Sequence, residues 1–256
     1  MSYKHYNIAY LEETGRMMKD LKFHSYAPFN GIQEGVVADI GCGTGMDIIA
    51  MAQSPAGMPL KKFIGVDHDP GMIEQARASA GALSNVEFLC AEASSLPFGE
   101  DTLSGVRAER LFQHIDQPDV VFGEIRRVLK ADHPFVVVET DWSSFSFYNA
   151  DQESAKSIRD YFTGKKVRNG LAARKLTSDL LRSGFREVRL EVCPLITYSY
   201  AQACAYIWLD KIIGEMQEQG LLASSGNNAF LQQLKDADAG GHFACSLNMV
   251  ISYCIK

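Results

Sequence analysis

The chain has 256 residues, 46% hydrophobic and 22% charged, a composition typical of a globular protein that buries its core without disulfides or metals. The formal net charge of −6 disfavours broad electrostatic attraction to nucleic acid. Six scattered cysteines without a Cys-x-x-Cys pair favour free thiols in a reducing compartment, and no apolar run reaches membrane-spanning length. We therefore expect a single cytoplasmic domain over residues 1–256, a monomer or homodimer, with no nucleic-acid, membrane or metal partner.

The N-terminal residues predict helix outside the main sheet. Apolar residues recur near helical spacing between residues 3 and 26, for example at Ile8, Leu11, Met18 and Leu21. We expect residues 1–30 to form a helical cap.

From residue 36 onwards, short apolar runs alternate with helical patterns. The runs lie at 36–40, 63–66, 86–90, 103–108 and 134–140, and the helical patterns at 46–53, 70–81 and 118–129. Short buried strands that alternate with helices predict a parallel sheet with helices on both faces.

The second half of the chain is less regular. Residues 143–170 and 198–240 read as insertions that form a cap or lid, and one amphipathic helix is expected over 198–219. Between them, residues 175–195 predict a helix that stops at Gly184 and a strand after it. Residues 246–256 predict a closing strand.

The segment VVADIGCGTG, residues 36–45, places Gly41, Gly43 and Gly45 after the first strand. Glycines let a backbone turn tightly and approach a ligand where a Cβ would clash, and ligands bind at the carboxyl ends of strands in such sheets. The spacing is one residue shorter than the dinucleotide fingerprint G-x-G-x-x-G, and the Gly-Lys-Ser/Thr of a phosphate-binding P-loop is absent. Spacing alone leaves open a dinucleotide or another adenosine-bearing cofactor.

Acidic residues follow or end three successive strands. Asp39 ends the first strand, Asp67 the second, and Glu92 follows the third. A carboxylate at the position of Asp67 can accept hydrogen bonds from ribose hydroxyls. An acidic rim repels a pyrophosphate and suits a cationic cofactor.

Four ordered segments extend this pattern: VVADIGCGTG, FIGVDHDPGMIEQAR, FLCAEASSLPF and IRRVLKADHPFVVVETDW. In order and spacing they resemble the motifs of class I S-adenosylmethionine-dependent methyltransferases, nearest to the UbiE-like small-molecule type. The resemblance covers residues 34–142 strongly and the C-terminal part loosely.

The resemblance implies an α/β, Rossmann-like fold: a seven-stranded, mostly parallel sheet with an antiparallel last strand and helical cap insertions. It implies an enzyme with S-adenosylmethionine as its cofactor and a small organic molecule as methyl acceptor. The cofactor residues that it implies are Asp39, Gly41, Cys42 and Gly43 at the methionine moiety, Asp67 at the ribose, His68, Glu92 and Ala93 at the adenine, and Arg110 near the methionine end or the acceptor.

Two positions depart from the family pattern. Ser104–Gly105 replaces the usual Phe-Asp of the fourth strand, and Ala-Asp-His-Pro replaces the usual Gly-Gly before the fifth. Both positions are structural in the family, so we expect cofactor binding to be retained.

The residues expected to bind the methyl acceptor follow the fourth and fifth strands. Motifs for nucleobase N-methylation, cytosine C5 attack and a catechol-type metal site are absent. His114 is the candidate general base, because its unperturbed pKa lies in the useful range, although packing or capping of the next helix is the alternative. Trp142 and Asp141, with His114, are the candidate acceptor-binding residues, and core packing is the alternative for Trp142.

Two other functions remain open at this point. A dinucleotide oxidoreductase is disfavoured by the glycine spacing and by Glu92. A non-catalytic module that binds S-adenosylmethionine would carry an intact cofactor cleft but a blocked acceptor pocket.

Overall fold

The computed structural model describes residues 14–15, 17–54, 61–222 and 229–256. Of the helix expected between residues 3 and 26, the part at 3–13 and residue 16 lie outside the described residues. The described part contains helix α1, Lys19–Tyr26, followed by a short 3₁₀ turn at Ala27–Phe29.

Seven strands form a single sheet. They are β1 (Gly35–Ile40), β2 (Lys61–Asp67), β3 (Val86–Cys90), β4 (Gly105–Glu109), β5 (Pro134–Tyr148), β6 (Arg186–Thr197) and β7 (Ala244–Ile255). Their order is β3-β2-β1-β4-β5-β7-β6. Strands β1 to β5 are mutually parallel, and β7 runs antiparallel to both β5 and β6. The predicted fold class is confirmed.

Helices cover both faces of this sheet. They are α2 (Met46–Gln53), α3 (Pro70–Ala80), α4 (Pro118–Val128), α5 (Gln152–Tyr161), α6 (Ala172–Arg182), α7 (Tyr200–Ile207), α8 (Leu209–Glu218) and α9 (Ala229–Ala239). Side chains alternate across a strand. Val136 accordingly packs in the core layer that contains α1, α2 and α3 residues, and Val137 packs in the layer that contains α4 and α6 residues.

The order of strands reverses between β1 and β4. Strand β1 leads outwards to β2 and β3 on one side, while β4 and β5 lie on its other side. The carboxyl ends of β1 and β4 therefore border a crevice at a topological switch point, where open α/β sheets bind their ligands.

Strand β5 is longer than the sequence predicted. It continues to Tyr148, eight residues beyond the predicted end at residue 140, with a register irregularity between Asp141 and Ser146. Phe145 and Phe147 on this extension pack with Ile158 and Ile212 in a third core. The first residues of the 143–170 segment are therefore part of the sheet and pack against the helices that follow; the cap role of this segment stays a prediction.

The helix expected over residues 198–219 is divided into α7 and α8. Trp208 stands between them in the left-handed conformation, with φ 53° and ψ 40°. An L-residue in this conformation cannot continue a right-handed helix. The prediction of one continuous helix is wrong, whereas the predicted stop at Gly184 is confirmed, since α6 ends at Arg182 and Gly184 has φ 86°.

Both departures from the family pattern have structural explanations. A Cβ at Gly105 would lie 2.7 Å from the Phe29 ring, so the residue after Ser104 must be small. Asp132 has φ 60°, a conformation that glycine adopts freely and that aspartate tolerates better than most residues.

We predict that Gly65→Val in β2 destabilises the protein by about 1–3 kcal/mol. A Cβ at Gly65 would lie 2.6 Å from the buried Phe88 ring and 2.8 Å from Cys42 Sγ. The free energy of unfolding in urea measures the effect. The control is Gly214→Ala in α8, where no atom lies within 4 Å of the added Cβ. Alanine there should be neutral or stabilising by up to about 1 kcal/mol, and equal effects of the two substitutions would contradict the steric explanation.

Candidate active site

The glycine loop follows β1 and leads into α2. Gly41, Gly43 and Gly45 all have positive φ, at 76°, 52° and 76°. The backbone N–H groups of Gly41 and Cys42 donate to Val66 O at 2.7 and 3.0 Å. A Cβ at Gly45 would lie 2.6 Å from Phe88. The loop requires glycine both for its backbone conformation and for its close packing against β2 and β3.

Asp67 ties this loop to the end of β2. Its Oδ2 accepts a hydrogen bond from Gly43 N at 2.8 Å, and its Oδ1 accepts one from Asp69 N at 3.0 Å. His68 Nδ1 lies 3.2 Å from Asp67 Oδ1, with its side chain exposed. The structure thus brings together the predicted residues of the loop and of the second strand, and it fixes the direction of the Asp67 carboxylate.

The third predicted acidic residue lies just beyond β3. Ala91 N donates to Asp67 O at 3.0 Å, which continues the pairing of β3 with β2. Glu92 follows with an exposed side chain, and Ala93 is half-buried. Asp67 and Glu92 therefore lie on adjacent strand ends, at the edge of the crevice.

Asp39 has a different environment from the other two. It is buried, and its Oδ1 accepts a hydrogen bond at 3.2 Å from Nη1 of Arg107, a residue of β4 with no exposed surface. Burial is the largest influence on the Asp39 carboxyl and raises its pKa to about 7, although Arg107 opposes this shift. A direct contact between Asp39 and a ligand stays a prediction; the ion pair with Arg107 is an additional role that the sequence did not predict.

Arg107 is the centre of a buried ionic cluster. Its Nη2 contacts Glu109 Oε2 and lies 3.4 Å from Asp47 Oδ1, and its Nε donates to Ser25 Oγ at 3.0 Å. The guanidinium also lies over the Tyr26 ring, 5.3 Å from its centroid. Three carboxylates from β1, α2 and β4 thus surround one arginine.

Lys22 of α1 completes the cluster. Its Nζ donates to both oxygens of Asp47 at 2.9 and 2.7 Å, and to both oxygens of Glu109 at 2.9 and 3.0 Å. Burial alone would raise the pKa of Asp47, but Arg107 and Lys22 outweigh it and hold that pKa below its usual range. We call Lys22, Asp39, Asp47, Arg107 and Glu109 the Arg107 cluster.

Arg110 and His114, two of the acceptor-side residues predicted from sequence, lie at a short turn after β4. Arg110 has φ 50°, and its N–H donates to Val138 O at 2.7 Å. The 3₁₀ turn Phe112–His114 follows. Gln113 Oε1 accepts a hydrogen bond from Trp142 Nε1 at 2.7 Å. The structure therefore links the turn directly to Trp142 on β5.

Trp142 is also packed against Phe162, which directly follows α5. Its ring stacks on Phe162 with centroids 4.7 Å apart and an interplanar angle of 20°. Asp141 is buried and pairs with Arg174, whose Nη2 lies 2.7 Å from Asp141 Oδ2. Asp141 thus anchors α6 to β5, and its predicted contact with an acceptor stays a prediction.

His114 lies at the end of the turn with an exposed ring, and Gln113 Nε2 is 3.2 Å from its Nε2. The surrounding protein removes part of the hydration of the ring despite this exposure. That loss and the positive charges of Arg110 and Arg168 lower its pKa. A lowered pKa makes the imidazole a weaker base, which favours the packing alternative for His114.

Sequence reasoning missed Glu139, a fully buried residue of β5. Its Oε1 accepts a hydrogen bond from Phe112 N at 2.5 Å, while its Oε2 accepts none from the described residues. Burial raises the pKa of Glu139 to about 8. The side chain holds the start of the turn that carries Gln113 and His114. Its position in the apolar run before Asp141 was the available signal, because a carboxyl in a buried strand requires a specific partner.

The described residues contain no group of three or more histidine, cysteine or acidic side chains that could hold a metal ion. Within the same residues, every helix is too short or too polar to cross a bilayer. Burial raises the pKa of Cys42 well above its usual range, which is the opposite of what a nucleophilic thiol requires.

We predict that Lys22→Met destabilises the protein by about 3–5 kcal/mol, because it leaves the buried carboxylates Asp39, Asp47 and Glu109 with one cation, Arg107, in place of two. Lys19→Met on the same helix is the matched control. Lys19 is exposed, and its contact in the described structure is with the Phe23 ring at 5.9 Å, so its loss should cost less than about 0.5 kcal/mol. Urea unfolding measures both. Similar losses in the two variants would mean that the Arg107 cluster does not hold α1.

Comparisons with known proteins agree with this geometry. Residues 37–132 match the family described as methyltransferase domain. An uncharacterised 37.1 kDa protein of transposon TN4556 from Streptomyces fradiae is 31% identical over 218 residues, which cover 83% of this chain and 60% of that protein. Demethylmenaquinone methyltransferase of Staphylococcus aureus is 28% identical over 126 residues, covering 49% of this chain and 48% of the enzyme. The chain thus spans about half to three fifths of the length of these two relatives.

A solved structure shares the fold at low sequence identity. Phosphoethanolamine N-methyltransferase 2 of Haemonchus contortus, in complex with S-adenosyl-L-methionine, is 17% identical with a TM-score of 0.60. The alignment covers 99% of this chain and 58% of that one. Residues 37–132 thus match a methyltransferase domain, in agreement with their ordered motifs, and the chain shares the fold of an enzyme solved with S-adenosyl-L-methionine.

Proposed function

We propose that this chain transfers a methyl group from S-adenosylmethionine to a small organic acceptor. The observation that carries the proposal is the hydrogen bond between Gly43 and Asp67. The backbone N–H of Gly43 in the glycine loop donates to the side chain of Asp67 at the end of β2. This hydrogen bond holds the Asp67 carboxyl group beside the glycine loop, at the edge of the sheet where open α/β sheets bind their ligands. S-adenosylmethionine, the cofactor predicted from sequence, is supported by the family match.

The residues at the crevice fit this cofactor. Gly41 lies close to the Leu111 side chain. A Cβ at residue 41 would lie 3.1 Å from that side chain, so glycine keeps this space free. Asp67 retains lone pairs for two ribose hydroxyls while it accepts backbone hydrogen bonds. Glu92 and Ala93, with His68 nearby, would bind the adenine. The acidic edge formed by Asp67 and Glu92 disfavours the pyrophosphate of a dinucleotide, so the oxidoreductase alternative is the weaker one.

The Arg107 cluster would hold the part of the glycine loop that binds the methionine moiety of the cofactor. Asp39 is directed to Arg107, and Asp47 is the second residue of α2, two residues after Gly45. In our proposal these carboxylates fix the loop, and Gly41, Cys42 and Gly43 make the closest backbone approach to the cofactor.

The cofactor supplies a methyl group activated by a sulfonium, so the main task of the chain is to align the acceptor for in-line displacement. Trp142 Nε1 donates a hydrogen bond to Gln113 Oε1, and Gln113 Nε2 donates one to Arg110 O at 3.3 Å. We propose that the side chains of Trp142 and Gln113 orient the methyl acceptor. Cap residue Phe162 stacks on Trp142 and would exclude water from this side.

The UbiE-like type, a small acceptor and the absence of nucleic-acid or membrane partners stay predictions, as does the cytoplasmic location. A cap that packs on Trp142 favours a small acceptor over a folded protein or a duplex. If the chain is a non-catalytic module, the space beside Trp142 must remain closed to an acceptor when the cofactor is bound. A screen of metabolite pools for products heavier by one CH₂ distinguishes an enzyme from such a module.

We predict that Asp67→Ala weakens binding of S-adenosylhomocysteine at least tenfold in calorimetry. Each lost hydrogen bond to a charged group contributes about 1.5–3 kcal/mol, and Gly43 N–H loses its partner as well. Glu74→Ala, at an exposed position of α3, is the control and should leave affinity unchanged. Unchanged affinity in a folded Asp67→Ala protein would place the ribose elsewhere, and binding of NAD as tight as that of S-adenosylhomocysteine would contradict the choice of cofactor.

We predict that His114→Ala reduces kcat by less than about tenfold and leaves cofactor affinity unchanged. A general base typically contributes about 10²–10⁴ in rate, whereas the lowered pKa of His114 makes it a poor base. Initial rates with an acceptor found in the screen give the test, with His114→Gln as a variant that retains hydrogen bonding. A hundredfold loss in both variants would establish His114 as the base.

A further inference from the structure

Strand β6 is the terminal strand of the sheet and pairs with β7 alone among the described strands. Edge strands leave backbone N–H and C=O groups available to another chain, and proteins usually protect long apolar ones. On β6 the apolar side chains Leu190, Val192 and Ile196 are 48%, 55% and 49% exposed, and Tyr198 beyond the strand is 73% exposed. Within the described part of the chain, this edge therefore has no strand partner, and one of its sides is apolar.

Two features limit the part of β6 that can accept a new strand. Glu187 has φ 53° within a register irregularity between Arg186 and Arg189, and such a bulge disrupts regular pairing. Pro194 has no N–H to donate. The regularly paired residues Arg189–Leu190–Glu191–Val192 lie between these two interruptions, and Val188 adjoins them at the end of the bulge.

The five-residue segment 188–192 is complementary to itself when it is reversed. In antiparallel pairing centred on Leu190, Val188 lies opposite Val192 of the second copy and Arg189 lies opposite Glu191. Directly opposed side chains on antiparallel strands are about 4.5–5.5 Å apart at Cβ, close enough for an ion pair. A two-fold axis repeats both pairs, so each dimer contains two Arg189–Glu191 pairs.

The two charged side chains are suited to this contact. They lie on the same face of β6, because residues two apart on a strand share a face. Glu191 is oriented by Tyr253 Oη at 3.0 Å and by His24 Nδ1 at 3.2 Å, and its side chain remains 42% exposed. Arg189 is exposed, and the described residues give its guanidinium no hydrogen bond or ion pair.

We propose that two copies of this chain associate through antiparallel pairing of their β6 edges, centred on Leu190. The partner is a second copy because the segment matches its own reverse in both apolar side chains and charge. Of the two oligomeric states left open by the sequence, this selects the homodimer, and it extends the seven-stranded sheet across the two-fold axis. The interface is separate from the candidate active site, so the proposal stands or fails independently of the proposed function.

Sedimentation velocity of the full chain at micromolar concentrations tests the proposal. The wild-type protein should sediment as a dimer of the 28.3 kDa chain. Arg189→Glu should weaken the dimer about tenfold or more, because it places like charges opposite one another twice per dimer. Lys211→Glu, the same charge change at an exposed position of α8, is the control and should remain dimeric. S-adenosylhomocysteine binding and thermal melting should confirm that each variant is folded.

Complementary charge reversals give the sharper test. Arg189→Glu and Glu191→Arg should each be largely monomeric alone, yet their mixture should form a heterodimer detectable by native mass spectrometry. Leu190→Lys, which opposes two lysines at the axis, should also weaken the dimer. A monomeric wild-type protein overturns the proposal, as does a dimer that survives Arg189→Glu or a mixture that gives no heterodimer.

Discussion

The buried guanidinium of Arg107 is the constraint on which the arrangement of the candidate active site depends. A cation without solvent exposure must be compensated by nearby anions, and the penalty for an unpaired buried charge is several kcal/mol. Arg107 contacts Asp39 on β1, Asp47 at the start of α2 and Glu109 at the end of β4. The glycine loop connects β1 to α2, so both ends of the loop are tied to the same side chain.

The N-terminal helix depends on the same cluster. Asp39, Asp47 and Glu109 outnumber Arg107, and Lys22 of α1 supplies the second cation. Helix α1 is therefore attached to the site by charge as well as by the packing of Leu21 and of Met18, the residue before the helix. On the acceptor side, the buried carboxyl Glu139 holds the turn after β4 through a backbone hydrogen bond. Ion pairs thus hold the glycine loop in place. A single buried carboxyl group, that of Glu139, holds the turn after β4.

The sequence was sufficient to predict the first five strands, the glycine loop and the position of Asp67, because apolar runs and positive-φ glycines leave local signals. It could not predict that Asp39 pairs with Arg107, since a charged residue in an apolar strand does not reveal whether another charge lies opposite it on a strand that comes three strands later in the chain. The extension of β5 was missed because DWSSFSFY mixes polar residues with its apolar alternation. The break at Trp208 was missed because tryptophan in the left-handed conformation has no local sequence signal. In each case, tertiary contacts decided the outcome.

A crystal structure of the protein with S-adenosylhomocysteine tests the central claim most directly, namely that the cofactor lies on the glycine loop between Asp67 and the turn after β4. The account predicts ribose hydroxyls within hydrogen-bonding distance of the Asp67 carboxylate, the sulfur directed towards Trp142 beneath the cap, and the Arg107 cluster intact below the loop. A ligand whose ribose lies away from Asp67, or whose sulfur faces an open or basic surface far from Trp142, would contradict it.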